Sequence, residues 1–81
     1  MKVRVKLFAA AKELAGRDEL EIEVPASATI ADARHAVVAA IPALERIVPN
    51  SLWAVGTEYV PNNTPLTEQS DIALIPPVSG G

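Results

Sequence analysis

This 81-residue sequence predicts an α+β domain in which one main helix packs across one face of a mixed sheet. Two segments near the N-terminus alternate apolar and polar residues with the period of a half-buried strand. Short apolar segments near the C-terminus predict further strands, and a single stretch between them has apolar residues at helical spacing. With 49% apolar and 21% charged residues, the chain has the composition of one globular domain with a modest core.

The N-terminal segment predicts two paired strands separated by a short helix. Residues 2–8 alternate, with apolar side chains on one face and basic ones on the other, except that Phe8 falls on the basic face. Residues 9–14 favour a short helix, which Gly16 ends. Residues 20–24 alternate apolar side chains with glutamates, so this strand should pair antiparallel with the first and set acidic side chains against basic ones.

The main helix follows a loop at residues 25–28. Thr29 is a suitable N-terminal cap, and Asp32 stands three residues on, where a capping box usually has Glu or Gln. The helix should end at Pro42, because the residue before a proline resists helical geometry. Its apolar stripe consists of Ile30, Ala33, Val37 and Ile41.

The remaining strands are short. Residues 52–55 suit a buried strand, residues 59–60 a brief returning strand after a turn, and residues 72–75 the last strand. We expect this last strand to lie beside the first, parallel to it, in the centre of the sheet. Further core positions are predicted at Leu44, Ile47, Trp53 and Leu66.

Composition excludes several classes of function. A net charge of −3 provides no basic patch and argues against nucleic-acid binding. The absence of cysteine rules out disulfides, thiolate chemistry and zinc–cysteine sites, and it fits a reducing compartment. Charges interrupt the N-terminal apolar run and no stretch has the length of a transmembrane helix, so we expect a cytoplasmic protein without membrane contact.

The chain has few groups for ordinary catalysis. His35 is the only histidine and lies off the apolar stripe of the main helix, so we expect a solvated surface side chain. No serine has a histidine nearby in the sequence, and the glutamates of the second strand are typical of a solvated face. The sequence contains neither a glycine-rich phosphate loop nor a metal-ligand cluster, so no metal is predicted.

The C-terminal segment is the most informative part of the sequence. It ends in Gly80-Gly81, whose carboxylate is slim enough to enter a narrow channel because glycine has no Cβ. Pro76 and Pro77 end the strand ladder and stiffen the approach to this tail. Six stretched residues reach roughly 20 Å. We therefore expect the terminal carboxylate to be the reactive group; the alternative is an inert, flexible stub.

A docking surface is predicted beside the tail. Phe8 is out of phase with the apolar residues of the first strand, and Ile75 is out of phase with Ile72 and Leu74. If the first and last strands are neighbours, Phe8 and Ile75 share the outward face, and Tyr59 joins them from the short strand. An exposed apolar cluster of this kind is typical of a protein interface. The alternative is that a loop of the same chain covers it.

The sequence resembles the small, sulfur-carrying subunit of molybdopterin synthase over nearly its whole length. The matching segments are LFAAAKELAG at residues 7–16, ATIADAR at 28–34, EYV at 58–60, Pro65-Leu66, and the most specific one, IPPVSGG at 75–81. The resemblance implies a ubiquitin-like β-grasp domain over residues 1–75 with a Gly-Gly tail over residues 76–81. Two departures are Gly56, where the family often has Asn, and Glu68-Gln69-Ser70, where it usually has an acidic-Gly-Asp turn.

The resemblance also implies a reaction. An E1-like adenylyltransferase would adenylate the Gly81 carboxylate with ATP, a sulfur donor protein would convert it to a thiocarboxylate, and Gly80 would let the backbone approach partner groups. The large subunit of molybdopterin synthase would then use this sulfur on cyclic pyranopterin monophosphate, in a heterotetramer. The chain would be an enzyme only as part of that synthase and would bind no cofactor, with ATP used by the activating partner. The expected partner contacts are Phe8, Tyr59, Ile75, Pro76, Pro77, Val78 and Ser79.

Three other functions stay open on the sequence. A related carrier serves thiamine thiazole synthesis, although such chains are typically shorter and lack this Pro-Pro-Val-Ser approach. A ubiquitin-like modifier would be attached through the same tail to lysines of other proteins. A non-covalent interaction module would keep its functions after loss of Gly80 and Gly81.

Overall fold

The computed structural model describes residues 1–77. Within them lie two helices and five strands, with two 3₁₀ turns, Pro42–Leu44 and Val48–Asn50, after the second helix. No helix in this range has both the length and the apolar character that a membrane crossing needs. In chain order the elements are β1 (Lys2–Leu7), α1 (Ala9–Ala15), β2 (Glu19–Glu23), α2 (Ile30–Ala40), β3 (Leu52–Val55), β4 (Glu58–Tyr59) and β5 (Asp71–Ile75).

The five strands form one mixed sheet in the order β2-β1-β5-β3-β4. The parallel pair is β1 with β5, in a register that sets Val5 beside Ile72 and Leu7 beside Leu74. The other neighbouring strands pair antiparallel. The predicted position of the last strand, central and parallel to the first, is therefore confirmed.

The core lies between the sheet and α2. The alternate side chains of β1 and β5 that face this side are almost completely buried, as are Ile30, Ala33 and Val37 of the helical stripe. Leu44, Trp53 and Leu66 are buried as predicted, whereas Ile41 and Ile47 are partly buried at its margin. The fully buried large side chains are Val3, Val5, Leu7, Ile30, Val37, Leu44, Ile72 and Leu74.

The start of α2 is held by the capping residue and by a loop from later in the chain. The Thr29 N–H donates to Asp32 Oδ2 at 2.8 Å, so Asp fills the place that Glu or Gln usually has. The next two amide groups donate to carbonyls of the β4–β5 connection, Ile30 to Thr64 and Ala31 to Asn62. These contacts satisfy helix donors that would otherwise have no partner and anchor α2 to that loop.

The β1–β2 hairpin has the predicted pairing of basic with acidic side chains. Arg4 Nε lies 2.8 Å from Glu19 Oε1, and Lys2 Nζ lies 3.9 Å from Glu21 Oε1. All four side chains are exposed, so each pair contributes at most about 1 kcal/mol. Gly16, with a left-handed φ of 70°, ends α1, and its N–H donates to the Lys12 carbonyl.

Three sequence predictions about the strands needed correction. The first strand ends at Leu7, and Phe8 becomes the residue that precedes α1. The short returning strand covers Glu58–Tyr59 rather than residues 59–60. The third strand is not buried throughout, because Leu52 is 55% exposed; its strand partner is Ile75, whose side chain points away from the core.

The turn before β5 keeps a regular geometry without the family's usual residues. The Ser70 N–H donates to the Thr67 carbonyl at 3.0 Å, and the Thr67 N–H donates to Ser70 Oγ at 2.9 Å. The serine hydroxyl therefore closes the turn in which Glu68-Gln69-Ser70 stands.

Two leucines allow a matched test of this core. Leu74→Ala should lower the free energy of unfolding by about 2–5 kcal/mol, because it opens a cavity in the central strand. Leu52→Ala makes the same chemical change on the exposed side and should cost about 0.5 kcal/mol or less. Urea denaturation of both variants measures the difference. Similar losses at the two positions would contradict this assignment of the faces.

Candidate functional site

The candidate site lies on the face of the sheet opposite the core. Over β2 and β1 this outer face carries charged side chains, and the charges largely pair with one another. Besides the two pairs of the hairpin, Lys6 Nζ lies 3.6 Å from Asp71 Oδ1, which joins β1 to β5. A face whose charges are already matched within the chain offers little net charge to a partner.

Toward the other end of the sheet the outer face becomes apolar. Leu7 pairs with Leu74 and both face the core, so the next residues, Phe8 and Ile75, face outward together. Ile75 is in turn the partner of Leu52 on β3. Phe8, the residue after β1, therefore continues a row formed by Ile75 on β5 and Leu52 on β3, and neighbouring strands lie about 4.8 Å apart. Phe8 is 46% exposed, so no loop of the described chain covers it.

Tyr59 lies on the same face but one row further along. It pairs with Ala54, which pairs with Ala73, two residues before Ile75. Its side chain is 65% exposed at the edge of the sheet. The register thus places Phe8 and Ile75 on the same face, with Tyr59 one row away, beside Ala54. We call these four residues, Phe8, Leu52, Tyr59 and Ile75, the outer apolar patch.

The sequence prediction missed Leu52. The run Leu52–Val55 is apolar at every position, so its composition favours burial on both sides. The alternation of side chains along a strand was a usable signal. Trp53 was expected in the core, so its neighbours Leu52 and Ala54 must point to the opposite face. The register against β5 places Leu52 beside Ile75 and in the outer apolar patch.

The C-terminal tail leaves the domain at this patch. Strand β5 is central and ends at Ile75. Pro76 is buried and Pro77 is exposed, so Pro76 packs against its own domain while Pro77 faces outward. Val78, Ser79, Gly80 and Gly81 lie outside the described residues, and their assigned roles remain predictions.

The single histidine lies elsewhere. His35 is exposed on α2, as predicted, and with Val38 and Pro49 it lines an open groove of about 460 Å³ between α2 and the following 3₁₀ turns. This groove is on the helical side of the domain, away from the outer apolar patch. Among residues 1–77, histidine and carboxylate side chains form no group of three or more that could hold a metal ion.

Comparison with known proteins gives consistent results. A sequence model of the ThiS family matches residues 5–81. The molybdopterin synthase sulfur carrier subunit of Chlamydomonas reinhardtii is 34% identical over 83 residues, covering all of both chains. The subunit of the same name from Arabidopsis thaliana is 31% identical over 81 residues, covering all of this chain and 84% of that protein.

Among solved structures, the crystal structure of SAMP1 from Haloferax volcanii superimposes with a TM-score of 0.89 at 32% identity, and the match covers both chains completely. SAMP1 is a small archaeal modifier protein. This similarity confirms the ubiquitin-like β-grasp fold expected for the chain.

Proposed function

This chain belongs to the ThiS family, and we propose that it is the sulfur carrier subunit of molybdopterin synthase. The names of its relatives support this function, at 31% and 34% identity over the whole chain. The structural observation that carries the proposal is the position of the outer apolar patch, at the end of the central strand from which the Gly-Gly tail departs. In this proposal the domain docks by the patch and delivers its terminus to the partner's active site.

The proposed chemistry takes place at the Gly81 carboxylate. A carboxylate is a poor electrophile because its negative charge repels nucleophiles. Attack of a carboxylate oxygen on the α-phosphorus of ATP, with release of pyrophosphate, forms an acyl adenylate on an E1-like partner. A donor that provides sulfur at the oxidation level of sulfide then attacks the acyl carbon and displaces AMP, which leaves a thiocarboxylate. The chain contains no cysteine, so no internal thiol competes for the activated acyl group.

The loaded thiocarboxylate then serves the large subunit of molybdopterin synthase, where cyclic pyranopterin monophosphate receives the sulfur. In each delivery the thiocarboxylate sulfur displaces an oxygen leaving group of the pterin and forms a thioester. Water then cleaves the bond between the Gly81 carbonyl carbon and this sulfur, which leaves the sulfur on the pterin and restores the Gly81 carboxylate. Two deliveries complete the dithiolene. Gly80 and Gly81 have no side chain to obstruct a narrow channel. The outer apolar patch supplies binding energy at the base of the tail, because aromatic and aliphatic anchors at the centre of an interface dominate affinity.

Deleting Gly81 should abolish thiocarboxylate formation and leave the fold intact, since the last strand, β5, already ends at Ile75. The chain is incubated with the E1-like adenylyltransferase, ATP and a sulfur source, and its intact mass is measured. The full-length chain should gain the mass difference of one sulfur for one oxygen. A one-residue extension beyond Gly81 serves as a second variant in which the glycines are present but the carboxylate is displaced.

Circular dichroism and thermal melting should show the same folded domain in both tail variants. A thiocarboxylate on the variant that lacks Gly81 would refute the assignment of the reactive group.

Phe8→Ala should weaken binding to the large subunit by about 1–3 kcal/mol if Phe8 anchors the interface. Leu52→Ala should weaken it in the same direction, because Leu52 lies in the same row of the patch. Leu14→Ala is the matched control: Leu14 is 49% exposed, close to the 46% of Phe8, but lies on α1. Isothermal titration calorimetry measures the affinity of each of the three variants for the large subunit. Equal affinity of the Phe8→Ala variant and the unchanged chain would remove Phe8 from the interface.

Protein modification is a second candidate function, and the similarity to SAMP1 favours it. The same acyl adenylate would then be attacked by a lysine amine of another protein, forming an isopeptide bond and releasing AMP. The sequence allows a specific search, because its last Lys or Arg is Arg46 and trypsin would leave a long remnant on the target. Cleavage after Glu68 instead leaves residues 69–81 on the acceptor lysine, a fragment that mass spectrometry can identify.

Remnants of residues 69–81 on lysines, present with the full-length chain and absent without Gly81, would establish conjugation. Their absence from cells in which the thiocarboxylate is detected would leave sulfur carriage as the function of the tail.

A further inference from the structure

Ala9 has an unusual backbone conformation. Within residues 1–77 it is the only non-glycine residue with a positive φ, at 50°. In this left-handed region the Cβ of an L-residue lies too close to the backbone, so residues other than glycine, asparagine and aspartate rarely adopt it. Such strain persists only where the surrounding structure enforces it, and it concentrates at functional positions.

The strained residue forms the corner between β1 and α1. Phe8 is still extended, with φ −124° and ψ 156°, yet its carbonyl already accepts the first N–H groups of the helix, from Ala11 at 3.1 Å and Lys12 at 3.4 Å. The chain therefore changes from strand to helix across Ala9 alone. No side-chain hydrogen bond caps this helix.

Both sides of the corner are held in place. Before it, Leu7 is buried, and its N–H donates to the Asp18 carbonyl at 2.9 Å. After it, Ala11 is completely buried against the core. Between these two anchors the extended conformation of Phe8 continues the alternation of β1, so the ring lies on the outer face beside Ile75. A right-handed conformation at Ala9 would send the chain in another direction and move the ring or the helix.

We propose that Ala9 is a positioning residue whose left-handed backbone sets the Phe8 side chain into the outer apolar patch for partner binding. This inference rests on the proposed function, because the partner is the large subunit of molybdopterin synthase. Ala9 itself need not touch the partner, since its contribution is the direction of the chain on either side of it.

The test compares substitutions that differ in their tolerance of a positive φ. Glycine and asparagine adopt it readily, whereas valine is β-branched and strongly disfavours it. Asparagine is also larger than alanine, so an effect of side-chain size predicts that Ala9→Asn and Ala9→Val behave alike. An effect of backbone conformation predicts that Ala9→Asn and Ala9→Gly resemble the unchanged chain and that Ala9→Val does not.

Thermal stability provides the first readout. Ala9→Val should lower Tm by about 5 °C or more, as expected for a loss of stability in a domain of this size. Ala9→Gly should leave Tm equal or higher, because it relieves the left-handed strain. Ala10 is the matched control: it is exposed within the same helix and has no positive φ. At position 10 the order of the Tm values should invert, so that Ala10→Gly lowers Tm more than Ala10→Val.

Affinity for the large subunit provides the second readout, measured by calorimetry in two backgrounds. In the background with native Phe8, Ala9→Val should weaken binding about tenfold. The affinities of the Ala9→Gly and Ala9→Asn variants should stay within about twofold of that of the unchanged chain. In the Phe8→Ala background, Ala9→Val should cause less than a twofold change, because the ring that it displaces is already gone. A loss of the same size in both backgrounds, or equal losses for Asn and Val, would overturn the proposal.

A structural readout keeps this test separate from the proposed function. The nuclear Overhauser contact between the Phe8 ring and the Ile75 methyl groups should persist in the Gly and Asn variants and disappear in the Val variant. Failure of the unchanged chain to bind the large subunit would refute the proposed function, while this contact and the stability order would still test the role of Ala9. A contact that persists in the Ala9→Val variant would overturn the positioning role.

Discussion

The parallel pairing of β1 with β5 is the contact on which the rest of the molecule depends. It sets Val5 beside Ile72 and Leu7 beside Leu74, and all four side chains are at most 1% exposed. A shift of one residue would turn these side chains away from the core, so burial enforces the register. Continued by one residue through the extended Phe8, the same register directs Phe8 and Ile75 to the opposite face. One interaction therefore builds both the core and the outer apolar patch.

The two faces of the sheet have separate functions in this structure. The helical face supplies stability, through the stripe of α2 and the loop carbonyls that hold the start of that helix. The outer face is divided into a charged part, whose ion pairs are internal, and an apolar part without such pairing. Since ion pairs already formed within the chain offer little to a partner, the apolar part is the one suited to recognition.

The proposed carrier and modifier functions share every step up to the acyl adenylate and differ only in the nucleophile that attacks it. Sulfur yields a thiocarboxylate, and an amine yields an isopeptide. In both proposals the domain would contribute docking and reach, and the chain is similar both to a molybdopterin synthase subunit and to a small archaeal modifier. The two proposals differ in the partner enzymes that they require. The His35 groove lies on the helical side of the domain, away from the outer apolar patch.

Much of this protein followed from local features of its sequence. Alternation located β1 and β2, helical spacing and the Thr29–Asp32 cap located α2, and the phase change at Phe8 and Ile75 indicated an outward apolar pair, because each of these depends only on neighbouring residues. The pairing of Leu52 with Ile75, the offset of Tyr59, the burial of Pro76 and the left-handed corner at Ala9 did not follow. They depend on which strands pair, in what register, and on how two anchored elements must be joined. Contacts between residues far apart in the chain set those features, and no local pattern encodes them.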